Sequence, residues 1–355
     1  MKILVITDLY PIKIDEKNTP KTIYDFVQGW KTLGHEVSVI RPNFILNSFL
    51  RKKTFYKSGQ YEDVLNLNYW TPFWGNIVNK IPDNFAHFDF DKIIAHMPSG
   101  LIFANKICEH YGLPLVAGVH VSDIEVLTNP IYSIYFKTEL LKAYTRAEKI
   151  ACRSEVLKQK FTKLYPEFES KTFTAFSGIN PDYITERTWQ KKERYKVLTC
   201  ANLIKRKNID KVIKACDKIE NVDLTVIGDG VEMKSLKKIS SKPIFTGKLE
   251  HEKVLDKMRE SDIFILPSEN ETFGMVYLEA MASGCVTVGL KSDGIDGIIK
   301  DGINGYLTEL NNIENKIKEI INSDNNDILK NSHKTILDYT SQKACENYLN
   351  FISNK

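Results

Sequence analysis

One stretch constrains this 355-residue chain more than any other. An apolar run from Ile263 to Leu266, halted by Pro267, leads into a polar loop and a helical segment from about Phe273. Gly284 stands where a helix would stop, and a second apolar run, Val286 to Leu290, follows at once. Two short buried strands joined through a helix form a βαβ unit, which calls for a parallel sheet. The loop before the helix then lies at the carboxyl edge of that sheet, where ligands bind. A helix start there offers unpaired N–H groups and a positive dipole end, and Gly274 removes a side chain that would keep an anion away.

Two carboxylates bracket this spot: Glu271 precedes the helix and Glu279 lies inside it. Carboxylates repel phosphate, so their natural partners are hydroxyls, and a sugar nucleotide carries hydroxyls on both its ribose and its transferred sugar. The plain alternative is a surface helix with solvated acids. Pro267-Ser268, Glu271, Phe273-Gly274, Glu279-Ala280-Met281-Ala282 and Gly284 together resemble the E-x7-E signature of retaining GT-B glycosyltransferases, specifically glycosyltransferase family four. The resemblance implies an α/β fold of GT-B type, with two Rossmann-like domains facing a central cleft. It also implies that Glu279 binds ribose hydroxyls, that Glu271 binds hydroxyls of the donor sugar, and that the amides around Thr272, Phe273, Gly274 and Met275 hold the diphosphate.

Length suits two domains. Hydrophobic residues at 43% and charged residues at 26% are those of a globular protein, and a net charge of +4 with no aromatic-basic RNA-binding signature gives no reason to expect a nucleic-acid partner. The six cysteines form no C-x-x-C pair, which points away from a zinc site or a disulfide framework and towards small core residues in a reducing compartment. The apolar run at the N-terminus is too short for a signal peptide or a membrane span, so the expected location is cytoplasmic.

From the start, Ile3 to Ile6 reads as a buried strand and Thr7 to Asn18 as a long loop. Thr19 and Pro20 open a helix whose apolar positions Ile23, Phe26, Val27, Trp30 and Leu33 recur at helical spacing until Gly34. Residues 43 to 80 are hard to read. Segment 44–57, together with Trp70 and Trp74, is basic and aromatic, which suits either peripheral contact with an anionic membrane or a half-buried helix and loop with solvated lysines. Strands are expected over Lys92 to Ala95, Leu115 to Val119, Lys149 to Cys152 and Thr172 to Phe176, with a helix from Ser99 to His110. Asp89-Phe-Asp91 spells a D-x-D, but nothing around it fits the metal-dependent fold that uses one, and neither metal nor cofactor is expected. His120 ends its strand where the resembling family has a histidine directed at the donor sugar. It is expected to bind a sugar hydroxyl or, as a neutral ring near pH 7, to accept a proton; the alternative is a structural strand-end histidine. His96 ends the neighbouring strand.

Turn residues from Ser177 to Asp182 and a charged stretch after them mark the boundary, giving an acceptor domain over 1–178, a nucleotide-sugar domain over 195–338, and a last helix in 339–355 that packs back on the first domain, as in the family. The loop after the strand Val197 to Ala201 is Asn202-Leu-Ile-Lys-Arg-Lys-Asn208. The family commonly places an arginine and, five residues on, a lysine here to neutralise the diphosphate. Lys207 matches the lysine, but Asn202 stands at the arginine, so that half of the clamp is either missing or supplied by Lys205 or Arg206. Gly228-Asp229-Gly230 and the turn at Gly247-Lys248-Leu249 resemble the nucleotide-side loops, the latter reading the base through its backbone. The expected catalytic set is His120, Lys207 and Glu271. The expected function is retaining, metal-independent transfer of a sugar, from a UDP-sugar by preference, to a hydroxyl of a glycan or lipid-linked acceptor in envelope polysaccharide synthesis. The alternatives are a non-catalytic sugar-nucleotide-binding subunit, an epimerase, or a phosphorylase, the last without any lysine context for pyridoxal phosphate.

Overall fold

The computed structural model describes residues 1–13, 16, 21–44, 56–69 and 89–353. The chain divides into two compact units, one of Met1–Arg153, Leu157–Phe176 and Ala344–Lys355, the other of Ser154–Val156 and Ser177–Lys343. Helix caps at 19 and 20, most of segment 44–57, and Trp70 and Trp74 lie outside the described residues.

The first unit is built on β1 (Lys2–Ile6), α1 (Thr22–Thr32), β2 (Glu36–Phe44), β3 (Gly59–Tyr61), β4 (Val64–Tyr69), β5 (Lys92–Ala95), α2 (Pro98–Tyr111), β6 (Leu115–Val119), α3 (Val121–Thr128), α4 (Pro130–Arg146), β7 (Lys149–Cys152), α5 (Glu155–Leu164) and β8 (Thr172–Thr174). Its sheet runs β3-β4-β2-β1-β5-β6-β7-β8, parallel except for the β3–β4 pair. Strands such as β1 and β6 are buried on both faces, which is why they read as unbroken apolar runs. One layer of core lies on each face. Ile23, Phe26, Val27 and Trp30 of α1 share theirs with Cys345, Tyr348 and Leu349 of the C-terminal helix Ser341–Ser353. The Tyr348 ring lies 5.5 Å from Phe26, 5.1 Å from Trp30 and 5.5 Å from Phe173. Gly29 lets the two helices meet, since a Cβ there would fall 2.3 Å from Cys345 Sγ.

The second unit contains β9 (Tyr195–Cys200), α6 (Ile209–Asp217), β10 (Val222–Ile227), α7 (Met233–Leu236), β11 (Ile244–Gly247), α8 (His251–Arg259), β12 (Ile263–Ile265), α9 (Met275–Ala282), β13 (Val286–Leu290), β14 (Tyr306–Thr308), α10 (Ile313–Asn322) and α11 (Asn326–Ile336). Its sheet is wholly parallel in the order β11-β10-β9-β12-β13-β14. Strand order reverses between β9 and β12, the crevice at which a doubly wound sheet receives a ligand. Segment 179–194 is packed on this unit rather than hanging between the two: Thr185 N–H donates to Ala282 O at 2.7 Å, and Trp189 stacks on Tyr195 at 5.4 Å.

Two sequence expectations need correction. The helix expected from Phe273 starts at Met275, because Gly274 takes a φ of 87°, which no helical residue adopts, and Phe273 turns into the core at 4% exposure. The strand expected over Thr172 to Phe176 ends at Thr174.

Candidate functional site

At the reversal in the second unit, a loop leaves β9 and another leaves β12. Asn208, in the left-handed region at φ 53°, ties them together: its Nδ2 donates to Pro267 O at 2.9 Å and to Glu269 Oε2 at 3.0 Å. Across this tie the Lys207 ammonium pairs with Glu271 Oε2, which also accepts from Ser268 Oγ at 2.9 Å. The Glu271 end of the loop is held by Asp293, whose carboxylate accepts from the N–H groups of Asn270 at 2.7 Å and Glu271 at 2.6 Å. Gly274 then turns the chain into α9. A Cβ there would sit 2.5 Å from the Tyr277 ring, which is fixed by its hydroxyl donating to Leu266 O at 2.6 Å. The loop is therefore braced from three sides, leaving the first N–H groups of α9 without intrahelical partners.

These elements border a pocket of about 380 Å³. Of the residues expected at the donor, Asn202, Lys207, Gly228, Leu249, Glu271, Gly274 and Met275 line it. Arg206, Thr272, Phe273 and Glu279 are not among its lining residues. Arg206 is turned to the loop backbone, with Nη1 donating to Glu269 O at 3.0 Å and Asn270 O at 3.2 Å. Glu279 is held by His251 Nε2 at 3.0 Å, and the His251 ring lies 5.6 Å from Tyr183.

The opposite wall consists of three laced loops. Leu203 N–H donates to Asp229 O at 2.9 Å, and Gly228 N–H donates to Gly247 O at 2.9 Å. A Cβ on Gly228 would lie 1.8 Å from Ala201 O and one on Gly230 2.4 Å from Leu203 O, so both glycines exist to let main chains touch. Sequence reasoning passed over Asp293 and His251. Asp293 sits in a turn-rich run, Ser292 to Gly297, where an acid is ordinarily a turn residue; nothing local marks it as a brace for a loop more than twenty residues away.

In the first unit, His96 follows β5 and His120 follows β6. His120 is the N-cap of α3: its carbonyl accepts from the Asp123 N–H at 3.1 Å, while Asp123 Oδ2 accepts from the His120 N–H at 2.9 Å. The His120 ring nitrogen Nε2 lies 3.2 Å from His96 Nδ1. One of these two facing nitrogens carries the hydrogen and the other accepts it.

Burial, and after it the nearby Arg153 charge, push the His120 pKa down to about 3; burial, His120 and Arg153 push that of His96 well below its usual range. Both rings are neutral near pH 7. Asp123 is fully buried, and despite a hydrogen bond from Tyr144 Oη at 2.9 Å its pKa is pushed up to about 7, burial being the main cause. Gly118 makes room for the pair, since a Cβ there would stand 2.1 Å from His96 Nδ1.

The D-x-D acids do structural work: Asp89 pairs with Lys2 Nζ at 2.5 Å and Asp91 accepts from the Lys2 N–H at 2.8 Å. Among the described residues no group of three or more His, Cys, Asp or Glu is arranged to hold a metal, and no helix is long and apolar enough to cross a membrane. All six cysteines are free thiols.

Two family models match side by side, "Glycosyltransferase Family 4" over residues 20–183 and "Glycosyl transferases group 1" over residues 184–336. An uncharacterised glycosyltransferase of Methanocaldococcus jannaschii is 27% identical over 291 residues, spanning 76% of this chain and 78% of that protein. Among solved structures, Anabaena HepE in complex with UDP and glucose superposes with a TM-score of 0.72 at 15% identity, covering 100% of this chain and 99% of that one. The lipopolysaccharide outer core galactosyltransferase WaaB superposes with a TM-score of 0.73 at 13% identity, covering 99% of each.

Proposed function

The chain belongs to the group 1 and family 4 glycosyltransferases and has their GT-B fold, and from that premise we propose that it transfers a sugar, with retention at the anomeric carbon, from a nucleoside diphosphate donor to a hydroxyl of a glycan or lipid-linked acceptor of the cell envelope. The observation that carries the reading is the Lys207–Glu271 pair beside the free start of α9, in one pocket at the reversal of the second sheet. UDP is the preferred donor nucleotide, in keeping with the UDP bound to HepE, and an envelope acceptor is in keeping with the lipopolysaccharide role of WaaB.

In this reading the N–H groups of Gly274, Met275 and Val276 receive the diphosphate, and Lys207 exchanges part of its bond to Glu271 for a phosphate oxygen as negative charge builds on the leaving group. Freed from Lys207, Glu271 accepts from a hydroxyl of the donor sugar. Glu279 releases His251 to take the ribose hydroxyls, and His120 exchanges its contact with His96 for a sugar hydroxyl. Charge neutralisation comes from these groups, and no metal is assigned a part.

The test is a melting-temperature screen with UDP, GDP, ADP and their sugars, without metal, followed by product analysis with the stabilising donor. A ligand that binds only the folded state must raise the melting temperature. Stabilisation by one nucleotide, reduced about ten- to a hundredfold in affinity by Glu279→Ala, is the expected result, a charge-assisted hydrogen bond contributing roughly 1.5–3 kcal/mol. Unchanged affinity in that variant would remove Glu279 from the ribose role. A second reading, a sugar-nucleotide-binding subunit without turnover, is favoured by one observation: Asn202, neutral, lines the pocket while Arg206 is turned to the loop backbone. Release of nucleoside diphosphate dependent on acceptor would dismiss it.

A further inference from the structure

A bound nucleoside diphosphate brings two or more negative charges into a pocket whose own charges nearly cancel. Four charged side chains line it: Lys207, Glu271, Asp229 and Lys248. Lys207 is committed to Glu271, and Asp229 Oδ1 accepts from the Gly230 N–H at 2.7 Å. Arg206, the nearest other cation in sequence, is taken up by the carbonyls of Glu269 and Asn270, and Lys205 does not line the pocket. Lys248 is different. It lines the pocket, and among the described residues it has no ion-pair or hydrogen-bond partner.

Its position is also fixed by the backbone. Gly247, at φ 73°, ends β11 and turns the chain towards the pocket, and its carbonyl accepts from the Gly228 N–H. The loop at 228–230 in turn lies against the main chain of 201–203. Lys248 and Asn202 thus belong to one laced wall, the lysine supplying the charge that position 202 lacks.

We propose that Lys248 is a donor-binding residue that supplies the second positive charge to the diphosphate, complementing Lys207. This rests on the donor-site reading above. Its ammonium, on a flexible stem, needs no rearrangement of an existing ion pair to reach a phosphate oxygen, whereas Lys207 must loosen its hold on Glu271. Lys248 then contributes to ground-state binding of the diphosphate, and Lys207 chiefly to its departure.

The experiment measures binding of UDP, GDP and ADP, and of uridine, guanosine and adenosine, to the full chain and to Lys248→Gln and Lys248→Arg, at 50 and 500 mM NaCl. Expected is a loss of about five- to tenfold for the preferred diphosphate in Lys248→Gln at low salt, near-full retention in Lys248→Arg, and a smaller gap at high salt. Affinity for the matching nucleoside stays within about twofold of the parent. An equal loss for nucleoside and diphosphate would overturn the proposal by making Lys248 a contact to the base or ribose. An unchanged diphosphate affinity in a parent that binds it well would overturn the proposal and leave the donor site standing. A parent that binds none of the six would withdraw the donor site itself, and Lys248 with it.

Discussion

The two units use the carboxyl edge of a parallel sheet in opposite ways. In the second unit the edge carries charge: the Lys207 and Glu271 side chains are 10% and 18% exposed, joined by an ion pair, and buttressed by Ser268 and Asp293. In the first unit the corresponding edge carries neutral rings, with His96 at 1% exposure and His120 at the start of α3, 3.2 Å from it. An ion pair with reserve partners can exchange one of them for a ligand, whereas a neutral pair held by shape, with one ring buried, has little freedom. Variants in the second unit should therefore alter turnover more than stability, and variants in the first unit the reverse.

Lys207→Ala should produce the largest effect, lowering turnover about 10²–10³-fold, the scale expected when one donor to a developing oxyanion is removed. Glu271 would keep Ser268, and Arg206 lies 3.7 Å away, so the melting temperature should move by only a few degrees. A fall in melting temperature as large as that of a first-unit variant would break the comparison.

Gly118→Ala is that variant. Forcing a Cβ against His96 overpacks the core, at a cost of about 1–3 kcal/mol, read as a lower urea midpoint with an unchanged slope. Nucleotide binding in the second unit should be unaffected, as titration of the preferred diphosphate would check.

A finer test separates donation from proton acceptance at His120. His120→Gln keeps an N–H donor and His120→Ala does not, so kcat/KM should fall about tenfold in the alanine variant and less than about threefold in the glutamine one. Equal losses would favour proton acceptance over donation.

The last test is a pH dependence. Unfolded, both histidines take up protons near 6.5, while in the fold His120 does so only near 3 and His96 well below its usual range. The unfolded chain then holds two extra protons as pH falls below 6.5, and stability drops with it. Asp123 acts in the opposite sense, because its folded value of about 7 exceeds the ordinary 3.8, so its contribution declines as pH rises through that interval. The parent should lose melting temperature from pH 6.5 to 4.5. The double variant His96→Gln/His120→Gln should lose less or gain, and Asp123→Asn should lose more.

Sequence reading reached what is encoded locally. Strands β5, β6 and β7 were expected with the bounds they have, because apolar runs closed by Gly, Pro or polar residues leave little choice. The acids at 271 and 279 and the lysine at 207 could be picked out by their place in a strand–loop–helix pattern. What escaped it depends on partners distant in sequence. Helix α3 begins one residue after β6 and α4 follows it after Asn129 alone, and β3 and β4 lie in a segment rich in polar residues. The ring partner of His120 is His96, 24 residues away, and the orientation of Arg206 depends on carbonyls more than 60 residues on. No local pattern contains either.

The C-terminal helix carries a consequence for biosynthesis. Ala344, Cys345, Tyr348, Leu349 and Ile352 belong to the same apolar layer as α1 and β1. The unit that leaves the ribosome first is therefore completed last, after the whole of the second unit has been made. A nascent chain stalled or clipped before residue 344 would carry an open aromatic face at Phe26, Trp30 and Phe173, a surface for chaperones and quality-control proteases to recognise. Completion of the final helix is then the event that closes the first unit to them.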